Sequence, residues 1–298
     1  MHRAAVVIIH YRGKQSTFDC LNSLFKMEKK SEFSVYLVNN GTDDMSSVVW
    51  KYPSSTLILP GKNTGFAEGC NLGIKKALND HFDRIVLINS DTLTGTNLIS
   101  RLVGFSRRHK NAGLVSPKIY FAKGFEYRTQ KYSKKDQGKV IWYAGGILNW
   151  SYVQASHRGV DEVDRGQFDK SEETDFATGC CMLITAEAIK KAGNFDKRFF
   201  LYYEDVDLSL RVKSKGLKIY YCPEAVVWHK NALSSEGPGS KLHLYFQTRN
   251  RLYIGYRYAP LRTKKSLFFD SLHLAGHGGI MRRAVLDYYF GRMGKGIL

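Results

Sequence analysis

Short apolar runs alternate with segments of helical periodicity over the first 120 residues. The apolar runs predict strands at residues 4–9, 33–38, 56–59, 84–88 and 114–115. Apolar positions spaced three and four apart predict helices at residues 17–27, 66–78 and 96–108. Buried strands separated by helices are typical of a mostly parallel central sheet with helices on both faces. We therefore predict an α/β fold whose ligands bind at the carboxyl ends of the strands.

The pattern is less regular after residue 117. Residues 118–140 are basic and poorly periodic, which predicts a loop or hairpin that continues to about residue 168. The following elements are predicted as a strand at 180–185, helices at 186–191 and 204–215, and strands at 217–221 and 225–228. The Ser-, Gly- and Pro-rich segment 234–240 marks a boundary. We therefore expect a main domain at residues 1–235 and a C-terminal extension at residues 236–298.

The C-terminal extension is basic and rich in aromatic residues. The chain has a net charge of +18, and residues 241–298 contain 11 Lys and Arg but only 2 Asp and Glu. Residues 241–258 have the spacing of an amphipathic helix, whose first turns we expect to pack on the main domain. Residues 262–269 and 280–290 combine cationic and aromatic faces, which suits an anionic membrane surface. A solvated basic surface is the alternative.

Cysteine content and apolar run lengths bear on location. The five cysteines are odd in number and form no CxxC pair, which suits a reducing compartment. The apolar run at residues 4–9 is too short for a signal peptide, and no apolar run reaches the roughly 18 residues of a membrane span. We therefore expect a cytoplasmic protein, peripheral on the inner face of the cell membrane.

Acidic residues follow two of the predicted elements. Asp91 lies at the C-terminal end of strand 84–88, after Asn89 and Ser90, where a carboxylate can hold a cation that bridges diphosphate oxygens. The alternative is that Asp91 caps the helix that begins near residue 96. Glu204, Asp205 and Asp207 open another helix after an aromatic-rich approach, which favours a pocket wall with a carboxylate that removes a proton. The alternatives there are complementation of the helix dipole and a surface pair of Asp207 with Arg211.

His229 directly follows the strand predicted at residues 225–228. A lone histidine in this position is more often structural than a ligand. We expect it to bind a metal only if it faces Asp91 across the same crevice.

Five motifs together resemble glycosyltransferase family 2, and its rhamnosyltransferase-like branch in particular. They are VNNGTDD (38–44), NTGFAEGCNLG (63–73), LINSDT (87–92), the acidic and aromatic segment 179–211, and PEAVVWHK (223–230). The match extends over about residues 4–257 with the motifs in the family's order. It implies a GT-A catalytic domain, a nucleotide-sugar donor, a divalent cation (Mg²⁺ or Mn²⁺) and inversion at the anomeric carbon.

The resemblance also implies roles for individual residues. Asp205 takes the position of the catalytic base with Glu204 beside it, and Asp91 and His229 take the metal positions. The nucleotide-sugar positions are Asn39, Asn40, Asp43, Asn63, Gly65, Phe66, Gly69, Asn71, Asn89 and Ser90. Tyr203, Asp207 and Gly179 lie on the acceptor side.

Two departures from the family pattern affect the donor site. The family usually has Asp at position 39, whereas this chain has Asn39, which makes the base preference less certain. Asp91 is the single acid of the metal motif, which implies a weakly held cation that arrives with the diphosphate. A catalytically inactive family member is the alternative that these departures favour.

The resemblance implies the partners as well. We expect a dTDP- or UDP-linked sugar, with L-rhamnose from dTDP-rhamnose favoured, and a glycan or polyprenyl-linked glycan acceptor in cell-surface polysaccharide synthesis. A nucleotidyltransferase would need a more basic loop after the first strand than residues 11–14 provide. A basic nucleic-acid-binding protein would explain the charge but not the ordered acidic motifs, so we expect no nucleic acid partner.

Overall fold

The computed structural model describes residues 3–29, 32–231 and 239–296 of the chain. Its strands are β1 (Ala4–His10), β2 (Phe33–Asn39), β3 (Ser55–Ile58), β4 (Arg84–Asn89), β5 (Thr92–Thr94), β6 (Ala112–Phe121), β7 (Ile141–Tyr143), β8 (Gly146–Asn149), β9 (Gln154–His157), β10 (Glu172–Glu173), β11 (Cys181–Thr185) and β12 (Lys218–His229). Its helices are α1 (Lys14–Met27), α2 (Val48–Lys51), α3 (Gly65–Asn79), α4 (Leu98–Arg108), α5 (Ala186–Ala192), α6 (Glu204–Ser214), α7 (Lys241–Tyr258), α8 (Leu261–Gly276) and α9 (Gly279–Tyr289).

Ten strands of the described residues form one sheet. The order is β10-β12-β6-β11-β4-β1-β2-β3, with β5 beside β12 and β7 beside β6. Strands β4, β1, β2 and β3 run parallel, as do β6 and β12, whereas β11 lies antiparallel between β4 and β6. Strands β8 and β9 form a separate antiparallel pair. The predicted α/β fold with a mostly parallel central sheet is confirmed.

Helices cover both faces of the sheet, as the apolar strand pattern predicted. Ala4, Val6 and Ile8 of β1 belong to one buried cluster together with residues of α1 and α4. The alternate residues Ala5 and Val7 belong to a second cluster together with residues of α3 and α6. Successive side chains of a strand point to opposite faces, so β1 is apolar on both sides because each side packs against helices.

The loop or hairpin predicted from residue 118 is wrong at its start. Strand β6 continues to Phe121, and its last residues pair with both β12 and β7. Lys118 lies in this strand and is buried, because its amino group binds the Asp164 carboxylate at 2.7 Å. The two strands predicted at residues 217–221 and 225–228 are also one strand, β12, with a register irregularity between Cys222 and Val226.

The helical character predicted for the C-terminal extension is confirmed. Tyr245, Phe246 and Leu252 of α7 are buried, and Leu252 belongs to the main core cluster. Helices α8 and α9 pack on α7 and on each other. The predicted boundary at residues 234–240 lies outside the described residues apart from its last two positions. Among the helices described here, none is both long and apolar enough to cross a membrane.

Candidate active site

A cavity of about 920 Å³ opens where β1, β4 and β12 end. Residues from all five sequence motifs line it. Those among the predicted site residues are Asn40, Asn63, Gly65, Phe66, Asn89, Ser90, Asp91, Gly179, Tyr203, Glu204, Asp205 and His229. The predicted residues that are not part of the lining are Asn39, Asp43, Gly69, Asn71 and Asp207.

Asp91 and His229 lie side by side on the cavity wall. The pairing of β5 with β12 puts His229 opposite Thr92, next to Asp91, and the Lys230 amide donates to the Asp91 carbonyl oxygen at 2.8 Å. His229 Nε2 is 3.2 Å from Asp91 Oδ1, and both side chains are buried. From the sequence, we expect His229 to bind a metal only if it faces Asp91, and the structure places the two residues side by side.

The pair fits one divalent cation. Carboxylate oxygen and imidazole nitrogen are common ligands at about 2.0–2.2 Å, which is compatible with ligand atoms 3.2 Å apart. His229 Nδ1 has no hydrogen-bond partner among the described residues. No group of three or more His, Cys, Asp or Glu residues with metal-binding geometry occurs in the described part of the chain. Asp91 and His229 would therefore supply only part of a cation's ligands.

Glu204 and Asp205 open helix α6 inside the cavity. Asp205 accepts hydrogen bonds at Oδ2 from the Gly179 amide (2.9 Å) and at Oδ1 from the Val206 amide (2.8 Å). Burial raises the pKa of Asp205, although these two donors act in the opposite direction. Burial and the Asp205 charge raise the pKa of Glu204 well above its usual range. Glu204 Oε2 has no hydrogen-bond partner among the described residues, whereas both Asp205 oxygens accept backbone hydrogen bonds. Of the two carboxyl groups, Asp205 is therefore the one that more readily carries the negative charge.

The loop that precedes these acids has an unusual backbone. Phe200, Tyr202 and Tyr203 have φ values of 64°, 67° and 70°, in the left-handed region. Such conformations cost on the order of 1–3 kcal/mol each for residues other than glycine, so surrounding contacts have to maintain them. The Phe200 carbonyl accepts from the Phe66 amide at 2.7 Å and so caps the start of α3. At Gly65 (φ 82°) a Cβ would lie 2.5 Å from the Phe200 ring, so only glycine fits there.

Asn40 holds residues 63–73, the predicted nucleotide-sugar segment (called the donor segment below), against the end of β2. Its Nδ2 donates to the Gly65 carbonyl at 2.8 Å, and its Oδ1 accepts from Thr64 Oγ1 at 2.9 Å. A Cβ on Gly69 would lie 2.8 Å from Asn40 Nδ2, so the small residue lets α3 approach. These contacts give Gly69 a packing role although it does not line the cavity.

Asn39 and Asp43 form a second set of contacts beside the cavity. Asn39 donates from Nδ2 to the Asp43 carbonyl (2.7 Å) and accepts at Oδ1 from the Gly41 amide (3.1 Å). Asp43 Oδ2 lies 3.0 Å from His10 Nε2, whose ring is buried. Burial lowers the pKa of His10. Both ends of the Asn39 amide are therefore engaged within the chain.

Asn71 and Asp207 also bind protein groups outside the cavity. Asn71 donates to the Phe195 carbonyl (2.9 Å) and accepts from the Phe195 amide (3.0 Å), which ties α3 to the approach to α6. Asp207 pairs with Arg211 Nε at 2.7 Å and accepts from the Tyr258 hydroxyl at 2.6 Å. Asp207 and Arg211 thus form the ion pair considered for them, but Asp207 is buried and the pair does not lie on the surface.

Sequence reasoning missed part of the cavity wall. Trp142 and His157 line it from the region expected to be irregular, and the Trp142 ring packs edge-on against His229 with 4.7 Å between ring centroids. His157 Nδ1 lies 3.0 Å from the Trp142 carbonyl, and burial lowers the pKa of His157 to about 4. The apolar run 141–143 is the available signal, but strand β7 is too short to stand out by periodicity.

Comparisons with known proteins agree with the resemblance. Residues 2–255 match the family described as "Glycosyltransferase like family 2". The chain is 26% identical over 249 residues to an "N-acetylglucosaminyl-diphospho-decaprenol L-rhamnosyltransferase" of Mycobacterium tuberculosis, a match that covers 77% of this chain and 78% of the relative. It is 22% identical over 210 residues to the "dTDP-rhamnosyl transferase RfbF" of Shigella flexneri, covering 70% of this chain and 64% of that one.

Solved structures share the fold. The structure of GalNAc-T7 with UDP, GalNAc and Mn²⁺ has a TM-score of 0.64 at 15% sequence identity. The superposition covers 85% of this chain and 48% of that chain, so this protein spans about half the length of that neighbour. The predicted GT-A fold and the resemblance to family 2 are confirmed.

Glu204 Oε2 has no hydrogen-bond partner among the described residues. We therefore expect Glu204→Gln to be more stable than the wild-type protein, by an amount that increases with pH. Folding raises the pKa of Glu204, so the wild-type protein loses stability as the pH rises from the unfolded toward the folded pKa. The neutral amide avoids this loss, and we expect a gain of about 1–3 kcal/mol at pH 8 and a smaller gain at pH 5. Thermal unfolding at both pH values measures it.

Glu187→Gln is the matched control. Glu187 is exposed and pairs with Lys191 at the surface, so its change should stay within about 0.5 kcal/mol at both pH values. A Glu204→Gln protein that gains no more stability at pH 8 than at pH 5 would contradict the assignment.

Proposed function

The chain belongs to the glycosyltransferase family 2-like proteins and is a glycosyltransferase, and we propose that it transfers L-rhamnose from dTDP-rhamnose, with inversion, to a lipid-linked glycan. The observation that carries the proposal is that one cavity joins the Asp91–His229 pair to a partly buried carboxylate, Asp205. Two relatives, named as an N-acetylglucosaminyl-diphospho-decaprenol L-rhamnosyltransferase and a dTDP-rhamnosyl transferase, favour this donor and this acceptor class.

Asp91 and His229 would hold Mg²⁺ or Mn²⁺ in this proposal. When bound there, the cation neutralises the charge that develops on the leaving diphosphate. The structural neighbour that contains UDP and Mn²⁺ supports divalent metal use. His229 would bind the cation through an imidazole nitrogen, and the Trp142 ring packs edge-on against that imidazole.

Asp205 acts as the base. The acceptor hydroxyl oxygen bonds to the anomeric carbon, the bond from that carbon to the diphosphate oxygen breaks, and the hydroxyl proton passes to Asp205. The Gly179 and Val206 amides hold the carboxylate in one orientation. Burial raises its pKa toward the working pH, which makes it a stronger base than a solvated aspartate. Glu204 lines the same cavity and would orient the acceptor.

The donor segment would enclose the nucleotide-sugar. Asn63, Gly65 and Phe66 line the cavity, and their backbone is held by Asn40 and by the Phe200 carbonyl. Gly69 and Asn71 would support this segment from behind, through contacts with Asn40 and Phe195. Asn39 and Asp43 would instead stabilise the chain that follows β2, since they contact each other and His10. Tyr203 and Gly179 would face the acceptor side, whereas Asp207 would stabilise α6 through Arg211 and Tyr258.

The base assignment predicts that Asp205→Asn loses about 10²-fold or more of turnover while nucleotide affinity changes little. The amide is isosteric, and its oxygen can keep one of the two backbone hydrogen bonds, so the fold should persist. Release of dTDP from dTDP-rhamnose in the presence of N-acetylglucosaminyl-diphospho-polyprenol gives turnover, and calorimetry with dTDP gives affinity.

Asp83→Asn serves as the control, because the Asp83 carboxylate is largely exposed. Near-normal turnover of Asp205→Asn would remove Asp205 from the role of base. A wild-type protein that binds the nucleotide but transfers no sugar to any acceptor would favour the inactive alternative.

We propose further that α8 and α9 attach the protein to an anionic membrane, at the cytoplasmic face where a lipid-linked acceptor would be met. Leu261, Phe268, Phe269 and Leu272 of α8 are exposed and share one helix face by their spacing. Leu286 and Tyr289 of α9 are also exposed, as is Phe290, which follows that helix. Arg262, Lys265 and Arg282 are exposed on the same helices and have no carboxylate partner among the described residues. Apolar groups flanked by cations match a negatively charged headgroup layer.

The membrane proposal predicts weaker vesicle binding when these three cations are neutralised. At about 1 kcal/mol for each basic residue, the triple variant Arg262→Ala, Lys265→Ala, Arg282→Ala should bind vesicles containing phosphatidylglycerol about 10²-fold more weakly at low salt. Co-sedimentation measures the binding. The control triple variant neutralises Lys134, Lys135 and Lys170, which are exposed in the main domain. Equal binding by the two triple variants, or no preference for anionic over zwitterionic vesicles, would contradict the proposal.

A further inference from the structure

Two polar side chains of α7 are completely buried against the loop that precedes the catalytic acids. Arg249 and Asn250 each have 0% exposure. Asn250 Nδ2 lies 3.0 Å from the Phe199 carbonyl oxygen and 2.8 Å from those of Leu201 and Tyr202. The two N–H groups of one amide are therefore shared among three carbonyls of the loop, and the Phe199 carbonyl also accepts from Arg249.

Arg249 determines which way the Asn250 amide points. Its Nε donates to Asn250 Oδ1 at 3.0 Å, and because a guanidinium has no acceptor, the amide oxygen must face it. The amide nitrogen is thereby directed at the loop. Arg249 also donates from Nη2 to the Phe199 carbonyl at 3.0 Å, and its guanidinium lies over the Phe246 ring at 4.9 Å from the centroid.

The loop at residues 199–203 connects the donor segment to the acids at the start of α6. Its Phe200 carbonyl caps α3, where the donor segment begins, and Tyr203 leads directly into Glu204 and Asp205. The left-handed residues of the loop need contacts that hold them, and α7 supplies donors for the carbonyls on that side. The Phe200 ring also stacks on Phe246 of α7, with 5.4 Å between ring centroids.

We infer that Asn250, oriented by Arg249, is a positioning residue for the reaction. It holds the loop at residues 199–203 in the conformation that places the Asp205 carboxylate and the start of α3 around the same cavity. The C-terminal extension then helps to position the catalytic groups, in addition to its proposed attachment to the membrane. The inference deepens the proposed function and rests on it for the role of Asp205.

Hydrogen exchange and kinetics on Asn250→Ala, with Asn250→Ser as the milder variant, test the inference. Leu252→Ala is the matched control, because Leu252 is buried on the same helix and packs in the main core. We expect amides in the peptide spanning residues 199–206 to exchange at least about tenfold faster in Asn250→Ala than in Leu252→Ala. We expect kcat for dTDP-rhamnose to fall about 10–100-fold with KM for the donor within about threefold, whereas Leu252→Ala keeps its kcat below its unfolding temperature.

Equal exchange of residues 199–206 in the Asn250 and Leu252 variants would overturn the inference. So would faster exchange with an unchanged kcat. If Asn250→Ala does not fold, Asn250→Ser is judged by the same two criteria. A wild-type protein without transfer activity overturns the proposed function instead, and the exchange comparison then decides by itself whether Asn250 holds the loop.

Discussion

The backbone from Phe199 to Tyr203 has to satisfy buried carbonyl groups while it passes through three left-handed residues, and the rest of the site depends on how it does so. An unpaired buried carbonyl costs on the order of 1–3 kcal/mol, so each needs a donor. The donors come from distant parts of the chain, the Phe66 amide and the Asn250 side chain. Because one loop accepts from both, the start of α3, the start of α6 and the position of α7 are determined together.

The protein as a whole is basic, whereas acidic side chains line the cavity. The chain has a net charge of +18, yet the cavity is lined by two buried acids, Asp91 and Glu204, and by the partly buried Asp205. A basic surface attracts diphosphate and anionic lipid, whereas buried carboxylates are suited to hold a cation or accept a proton. The same composition can therefore serve both the donor and the membrane in the proposed reaction.

Sequence reasoning succeeded where the signal is local. The apolar runs of β1 and β4 follow from their burial on both faces, and polar residues at strand ends pointed to Asp91 and the site edge. It failed where the position of a residue depends on a partner that is far away in the sequence. Lys118 can lie in a strand because Asp164 neutralises it, and Asn250 occupies a buried helix position because the loop 50 residues earlier needs donors. Residue patterns within a short window do not contain that information.

Titration calorimetry with dTDP, UDP and GDP, each with and without Mn²⁺, tests most directly the central claim that Asp91, His229 and the donor segment form a nucleotide-sugar site. The account predicts that dTDP binds, that Mn²⁺ strengthens this binding by at least about tenfold, and that the gain is lost in His229→Ala. Binding of UDP or GDP in place of dTDP would change the sugar but keep the site. Failure of the folded protein to bind any of the three nucleotides, with or without Mn²⁺, would contradict the account.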